Sequence, residues 1–217
     1  MENIFERRCG MDTISDRSFY IILGLMTLYG LAATAIAGML TAAAGITLGW
    51  PSIIGIIVVT FIGVLINGAS QNPIVSFLGY NLVAIPFGIL LGVSLPAANI
   101  PVETIQSVAL TTGGVTCFMM FLGTVKPNVF LRMGSTLFWA LIGLIVLRVA
   151  GMFVPAIAAM GWIDWLAAGI FSLYIAFDWA RAGFMPKTVD NAVDVALALY
   201  LDIINLFLSL LNIASDD

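Results

Sequence analysis

Long apolar segments separated by short polar connections dominate the chain. A helix needs about 20 apolar residues to cross a bilayer, and seven segments come near or exceed that length. They cover residues 19–44, 51–66, 74–95, 103–123, 133–154, 162–182 and 191–213. The pattern predicts an all-α integral membrane protein with seven transmembrane helices. Residues 1–18 would form a cytoplasmic N-terminal segment, 19–213 the membrane domain and 214–217 a short acidic tail.

The connections predict the orientation of the spans. With the N-terminus inside, the inner side holds 7 of the 8 basic residues: Arg7, Arg8, Arg17, Lys126, Arg132, Arg181 and Lys187. Cytoplasmic connections are typically enriched in Lys and Arg, so an odd number of spans places the C-terminus outside. The connection 67–73 is uncharged. It leaves open whether the second and third segments form two spans or one re-entrant pair.

Polar residues recur along the last segment at steps of three and four, with the small Ala198 filling one gap. The polar residues are Asn191, Asp194, Asp202, Asn205, Ser209 and Asn212. This spacing puts them on one face of an α-helix. A polar face on an apolar helix needs protein partners or water opposite it, which favours a central last helix ringed by the other six. The alternative is a face that only joins helices by hydrogen bonds.

Two acids lie inside the last two segments, Asp178 in FSLYIAFDWA and Asp202 in ALYLDIINLF. A turn that lies within residues 183–191 and is centred near Asp190 would be 12 residues from Asp178 (190 − 178) and 12 from Asp202 (202 − 190). Equal distances from the turn of an antiparallel hairpin mean equal depth, so the carboxylates are expected to face each other. An ionisable residue at that depth is costly and indicates function.

Two adjacent carboxyls hold one proton between them and titrate as a unit. With the proton, a hydrogen bond joins the sixth and seventh helices. Without it, repulsion separates them and leaves oxygen ligands for a divalent cation such as Ca²⁺. Alternatively, Asp178 pairs with Arg181, which shares its helix face with Tyr174.

Composition excludes several classes of protein. The chain is 61% hydrophobic and 9% charged, with 12 acidic and 8 basic residues and no basic tract, so no nucleic-acid surface is expected. It has no His and two distant cysteines, Cys9 and Cys117, which argues against zinc and disulfides. No Lys lies within a span, so a retinal Schiff base has no amine.

Two further features inside the spans have structural interpretations. Arg148 is the one basic residue well inside a span, since Arg181 lies at the end of the sixth, and it is expected to reach the membrane interface or to pair with Asp164. Gly88 and Gly92 form a GxxxG, which indicates close helix packing.

The end of the chain resembles the Bax inhibitor-1 (transmembrane Bax inhibitor motif) family, particularly its small bacterial members. The resemblance rests on FSLYIAFDWARA and ALALYLDIINLFLSLLNIASDD, with weaker similarity through FLGT at residues 121–124. It implies the seven-helix fold with a central last helix, in a bacterial plasma membrane. One departure is that the place of a basic latch residue found in some members falls at about Asn67, which is uncharged.

The resemblance also implies a function, a pH-sensitive Ca²⁺ leak whose sensor is the pair Asp178 and Asp202. Ca²⁺ and protons are then the partners besides the lipid bilayer, with no enzymatic activity and no required cofactor. Five residues would line or support the path: Tyr174, Arg181, Asp194, Asn205 and Ser209. The alternative is a regulator without transport that binds other membrane proteins, such as a membrane protease.

Overall fold

The structure of the protein, a computed structural model, describes residues 13–215, and within them the chain is helical with no strand. The helices are α1 (Asp16–Ala43), α2 (Trp50–Ala69), α3 (Pro73–Ala97), α4 (Val102–Val125), α5 (Pro127–Arg132), α6 (Gly134–Phe153), α7 (Pro155–Ala158), α8 (Trp162–Phe184) and α9 (Val189–Ser215). All except α5 and α7 are long and apolar enough to cross a membrane. The predicted all-α class with seven spans is therefore confirmed. Residues 1–12, which include Cys9, and Asp216 and Asp217 of the predicted tail lie outside the described residues.

The uncharged connection between the second and third spans is a true turn. α2 has 20 residues and ends at Ala69, and α3 begins at Pro73 and has 25 residues. Each is long enough to cross the bilayer, so the re-entrant alternative is wrong.

Two short helices, α5 and α7, were not predicted. Each begins at a proline, Pro127 and Pro155, where the fixed φ suits the first helical turn and the missing N–H costs no hydrogen bond. They contain 6 and 4 residues, too few for hydrophobic periodicity to reveal.

The described residues group into two compact units. The first contains residues up to 93 together with 185–197, and the second contains 94–184 together with the chain from 198 onward. α9 contributes its first turns to one unit and the remainder to the other. The prediction of a single membrane domain over 19–213 stays a prediction.

Close backbone contact joins α1 and α3 in the first unit. A Cβ atom on Gly88 would lie 2.4 Å from the carbonyl oxygen of Thr34, so only glycine permits this approach. The Thr34 hydroxyl donates to the carbonyl of Ala84 at 2.9 Å, and Tyr80 donates to that of Met26 at 3.1 Å. The interpretation of the GxxxG as a packing motif is confirmed.

Residues at and just before the start of α1 contact the connection between α8 and α9. The N–H of Ile14 donates to the carbonyl of Lys187 at 2.8 Å. The Lys187 ammonium lies 4.7 Å from the centroid of the Phe19 ring, a cation–π contact. Burial lowers the pKa of Lys187, and the nearby charge of Asp16 acts in the opposite direction.

In the second unit, α8 packs against α4, α5 and α6. A Cβ on Gly123 of α4 would lie 2.6 Å from the carbonyl oxygen of Ala176, which brings α4 close to α8. The Trp179 indole N–H donates to the Thr124 hydroxyl at 2.8 Å. Both contacts are within three residues of Asp178, so they fix the part of α8 that carries it.

The two acid-bearing helices are the most buried spans. Of the most apolar 18 residues of each span, 61% are buried in α9 and 56% in α8, against 11% in α2 and α6. Side chains of α2 and α6 are therefore left for lipid. Extensive burial of α9 is what the prediction of an inner last helix requires.

Candidate functional site

The turn before α9 is shorter than the sequence predicted. α8 continues to Phe184 and α9 begins at Val189, so Asp190 lies in the first helical turn and the expected turn centre is wrong. Asp178 is 6 residues from the end of α8 (184 − 178), whereas Asp202 is 13 from the start of α9 (202 − 189). The difference corresponds to about 10 Å of helix, which four connecting residues can span when extended.

Asp178 and Asp202 nevertheless meet in the second unit. Both residues are buried, with 6% and 7% of their surface exposed. Their carboxyl groups lie within hydrogen-bonding range of each other. Oδ2 of Asp202 receives no hydrogen bond from an N–H or hydroxyl of the described residues. A carboxyl can donate to another carboxyl only when one of them is protonated.

Asp178 also has a cationic partner. Nη2 of Arg181 lies 3.0 Å from Oδ1 of Asp178, as the alternative interpretation of Asp178 predicted. The Arg181 side chain is 44% exposed and lies over the Phe177 ring, 5.8 Å from its centroid. The ion pair and the carboxyl contact therefore coexist. Tyr174, the other residue predicted on this face, lies close enough to both acids for their charges to act on its hydroxyl group.

The remaining predicted path residues on α9 lie on either side of Asp202. Asp194 is half-buried and lies about 12 Å away along the helix, on the N-terminal side. On the C-terminal side, Asn205 donates to the carbonyl of Leu201 at 2.7 Å, and Ser209 donates to that of Asn205 at 2.8 Å. Both hydrogen bonds stay within α9, so neither joins α9 to a neighbouring helix.

Asn205 and Ser209 line a cavity of about 410 Å³ in the second unit. Its wall is formed by residues of α6, α8 and α9: Leu141, Leu144, Ile145, Arg148, Val149, Ala167, Phe171, Asn205, Leu208, Ser209 and Asn212. Asn205 is three residues from Asp202, less than one helical turn. The cavity thus begins close to the carboxyl pair and extends toward the C-terminal end of α9.

Arg148 pairs with Asp164, one of the two outcomes expected from the sequence. Its Nη2 lies 2.5 Å from Oδ1 of Asp164. The side-chain amide of Asn212 donates to the same oxygen at 3.0 Å. Asn212, a residue of the polar face of α9, therefore joins α9 to α8 by a hydrogen bond.

A fourth buried acid, Asp190, was not predicted as a site residue. Its carboxylate accepts a hydrogen bond of 2.7 Å from the Ser76 hydroxyl, and Asp190 is 5% exposed. Asn67, at the expected place of the latch, is buried and donates to the carbonyl of Ser76 at 3.1 Å. Sequence offers no signal for these contacts, because Ser76 and Asp190 are 114 positions apart.

The described residues contain no group of three or more His, Cys, Asp or Glu side chains that could enclose a metal ion. The pair Asp178 and Asp202 offers carboxylate oxygens alone. Ca²⁺ in proteins takes six to eight oxygen ligands, so water would have to supply most of them here.

The fold and the site together define an integral membrane protein with seven helices able to span the bilayer and a buried carboxyl pair on the last two. Residues 14–216 match the family described as "Inhibitor of apoptosis-promoting Bax1". The chain therefore belongs to this family, and the resemblance seen in its last hundred residues is confirmed.

Relatives occur in bacteria and in a plant. An uncharacterized membrane protein of Vibrio cholerae is 32% identical over 84% of this chain and 82% of its own length. Protein LIFEGUARD 1 of Arabidopsis thaliana is 30% identical over 62% of this chain and 57% of its own. An uncharacterized protein of Campylobacter jejuni is 34% identical over 55% of this chain. The matched region is 50% of the length of that relative.

Proposed function

We propose that the protein is a pH-sensitive calcium leak in a bacterial plasma membrane, gated by the protonation of Asp178 and Asp202. The observation that carries the proposal is the contact between two buried carboxyls on different helices. Like charges so close cannot both ionise without a large cost, and a shared proton removes that cost. A pair of this kind responds to pH by its construction.

The contacts assign different parts to the two acids. Arg181 beside Asp178 favours the ionised form there, so in the one-proton state Asp202 carries the proton and donates to Asp178. Oδ2 of Asp202 is buried and receives no hydrogen bond within the described part of the chain, so a charge on this carboxyl would be poorly compensated. Loss of the proton leaves two facing carboxylates, and their repulsion separates α8 from α9.

Separation of the helices also prepares a path for a cation. Two ionised carboxylates present hard oxygen ligands, the kind that Ca²⁺ prefers. Water supplies the other ligands, so the site binds the ion weakly enough to release it, as conduction requires. On the C-terminal side, Asn205 and Ser209 continue the path along the cavity. Tyr174 and Asp194 support it, and no enzymatic activity is involved.

The orientation proposed places the N-terminus inside and the C-terminus outside. The asymmetry of the basic residues supports it. A fluorescent or enzymatic reporter fused to either end, which is active on one side only, tests this assignment separately from transport.

Reconstitution in liposomes with an enclosed Ca²⁺-sensitive dye tests the function. The leak should rise as the external and internal pH are raised together across neutrality, from about 6 to 8, because the proposed gate opens when the pair loses its proton. Asp178→Asn and Asp202→Asn should each remove the dependence on pH. Asp164→Asn is the matched control, since Asp164 is equally buried on the same helix but is held by donors.

A leak that ignores pH, or keeps its pH response in both Asn variants, would remove the sensor. Inert liposomes combined with specific capture of another membrane protein would instead favour the regulator without transport.

A further inference from the structure

Three residues on three helices meet at the C-terminal end of α9. Asp164, at the start of α8, receives Arg148 of α6 and Asn212 of α9 on the same oxygen, Oδ1. The Asp164 side chain is 11% exposed and that of Arg148 is 44% exposed. Burying a carboxylate is costly unless donors satisfy it, so Asp164 depends on both partners.

The same cluster lies at one end of the cavity. Arg148 and Asn212 both line it, and Asn205 lines it less than one turn from Asp202. From Asn205 to Asn212 the cavity follows α9 for seven residues, about 10 Å. Its volume of about 410 Å³ is many times the roughly 30 Å³ that a water molecule takes in the liquid.

We propose that Arg148, Asp164 and Asn212 form a polar lock that closes this end of the cavity. While the lock is formed, the ends of α6 and α9 are tied to α8, and the Asp164 carboxylate is occupied. When Arg148 leaves, the guanidinium no longer covers the cavity and a carboxylate becomes available beside it. Arg148 is thus a positioning residue, and its effect on the leak rests on the proposed function.

The lock can be tested without any measurement of transport. A cysteine at Ser209 reports access to the cavity, since Ser209 lines it and donates only within α9. The native thiols are removed by Cys9→Ser and Cys117→Ser. A charged maleimide is added to both faces of permeabilised membranes, and the rate of labelling is measured. A cysteine at Ser172 is the control reporter, because Ser172 is half-buried and donates within its own helix but lies outside the cavity lining.

Arg148→Gln should raise the labelling of Ser209→Cys about tenfold, the factor that 1.4 kcal/mol corresponds to, and should leave Ser172→Cys unchanged. Arg148→Lys, which keeps the charge, should restore part of the protection. Equal rates at Ser209→Cys in the presence and in the absence of Arg148→Gln would overturn the lock. So would an equal rise at Ser172→Cys, which indicates general loosening.

Asn212→Ala provides a second test if Arg148→Gln does not fold. It keeps the charge pair and removes one hydrogen bond to Asp164, so labelling should rise about threefold. An unchanged labelling rate would show that Asn212 does not contribute to the lock.

In liposomes, Arg148→Gln should also increase the Ca²⁺ leak without moving its dependence on pH. If the parent protein passes no Ca²⁺, the proposed function fails while the labelling experiment still decides whether the lock exists.

Discussion

Two acids on α8 have nearly the same burial and different surroundings. Asp164 and Asp178 are 8% and 6% exposed, and each pairs with an arginine whose side chain is 44% exposed. Asp164 is held by two donors from other helices, Arg148 and Asn212. Asp178 has its arginine on the same helix and faces a second acid on α9.

The difference between the acids is the number of donors they face from other helices. A carboxylate met by donors alone is stable when ionised, and it ties the helices that supply those donors. A carboxylate met by another carboxyl is tied to the other helix only while a proton is present. Residue type, helix and burial do not distinguish Asp164 from Asp178, whereas the opposing group does.

Replacement of the facing acids should have the largest effect. Asp178→Asn or Asp202→Asn leaves an amide that donates to the remaining carboxyl at every pH, so the pH response of the Ca²⁺ leak should disappear. Asp164→Asn should keep the pH response but lower the stability in detergent by about 1–2 kcal/mol, because a charge-assisted bond to a half-exposed arginine is lost. Thermal unfolding and liposome flux of the same preparations check both. A pH response lost in Asp164→Asn and kept in Asp202→Asn would reverse the comparison.

The placement of α8 near Asp178 gives the next effect. Gly123→Ala would put a Cβ atom 2.6 Å from the carbonyl oxygen of Ala176, and this overlap should cost about 1–3 kcal/mol. The displacement of α8 should also alter the pH response. Gly169→Ala is the control on α8 itself, where nothing lies within 4 Å, and it should not destabilise the protein. Equal thermal stabilities of the two variants would show that this contact does not fix α8.

The spans could be predicted because each is longer and more apolar than the connections beside it. The two acids on α8 and α9 could be singled out as well, since a charge in the middle of an apolar segment is rare. Their meeting was expected for an incorrect reason. The expected turn is centred on Asp190, whereas Asp190 lies in the first turn of α9, where a negative charge is favoured near the helix N-terminus.

Contacts between distant segments could not be predicted from the sequence. Ser76 meets Asp190 across 114 positions, and Asn212 meets Asp164 across 48. No local periodicity records which helices are neighbours. Whether Arg148 reaches the membrane interface or pairs with Asp164 likewise depends on where α6 and α8 pack.

A smaller effect is expected from Arg181→Gln, which tests the cation beside the facing acids. Without the guanidinium, the pair should keep its proton to higher pH, so the midpoint of the leak should move upward. Arg181 is half-exposed, and such pairs are worth about 1 kcal/mol or less, which limits the movement to roughly 1 pH unit. Flux across a pH series measures the midpoint, with Arg132→Gln as a control for the loss of a positive charge. A midpoint unchanged from the parent would show that Arg181 does not act on the pair.

The smallest effect is expected at Asp190, a buried acid that faces a neutral donor. Asp190→Asn retains an oxygen that can accept from the Ser76 hydroxyl and loses only the charge near the start of α9. The cost should be below about 1 kcal/mol, the usual worth of an acid at a helix N-terminus. The pH response should remain, because Asp190 opposes a hydroxyl rather than a carboxyl. If Asp190→Asn removed the response as fully as Asp202→Asn, the opposing group would not be what separates a sensing acid from a structural one. Thermal unfolding and flux at pH 6 and 8 decide between these outcomes.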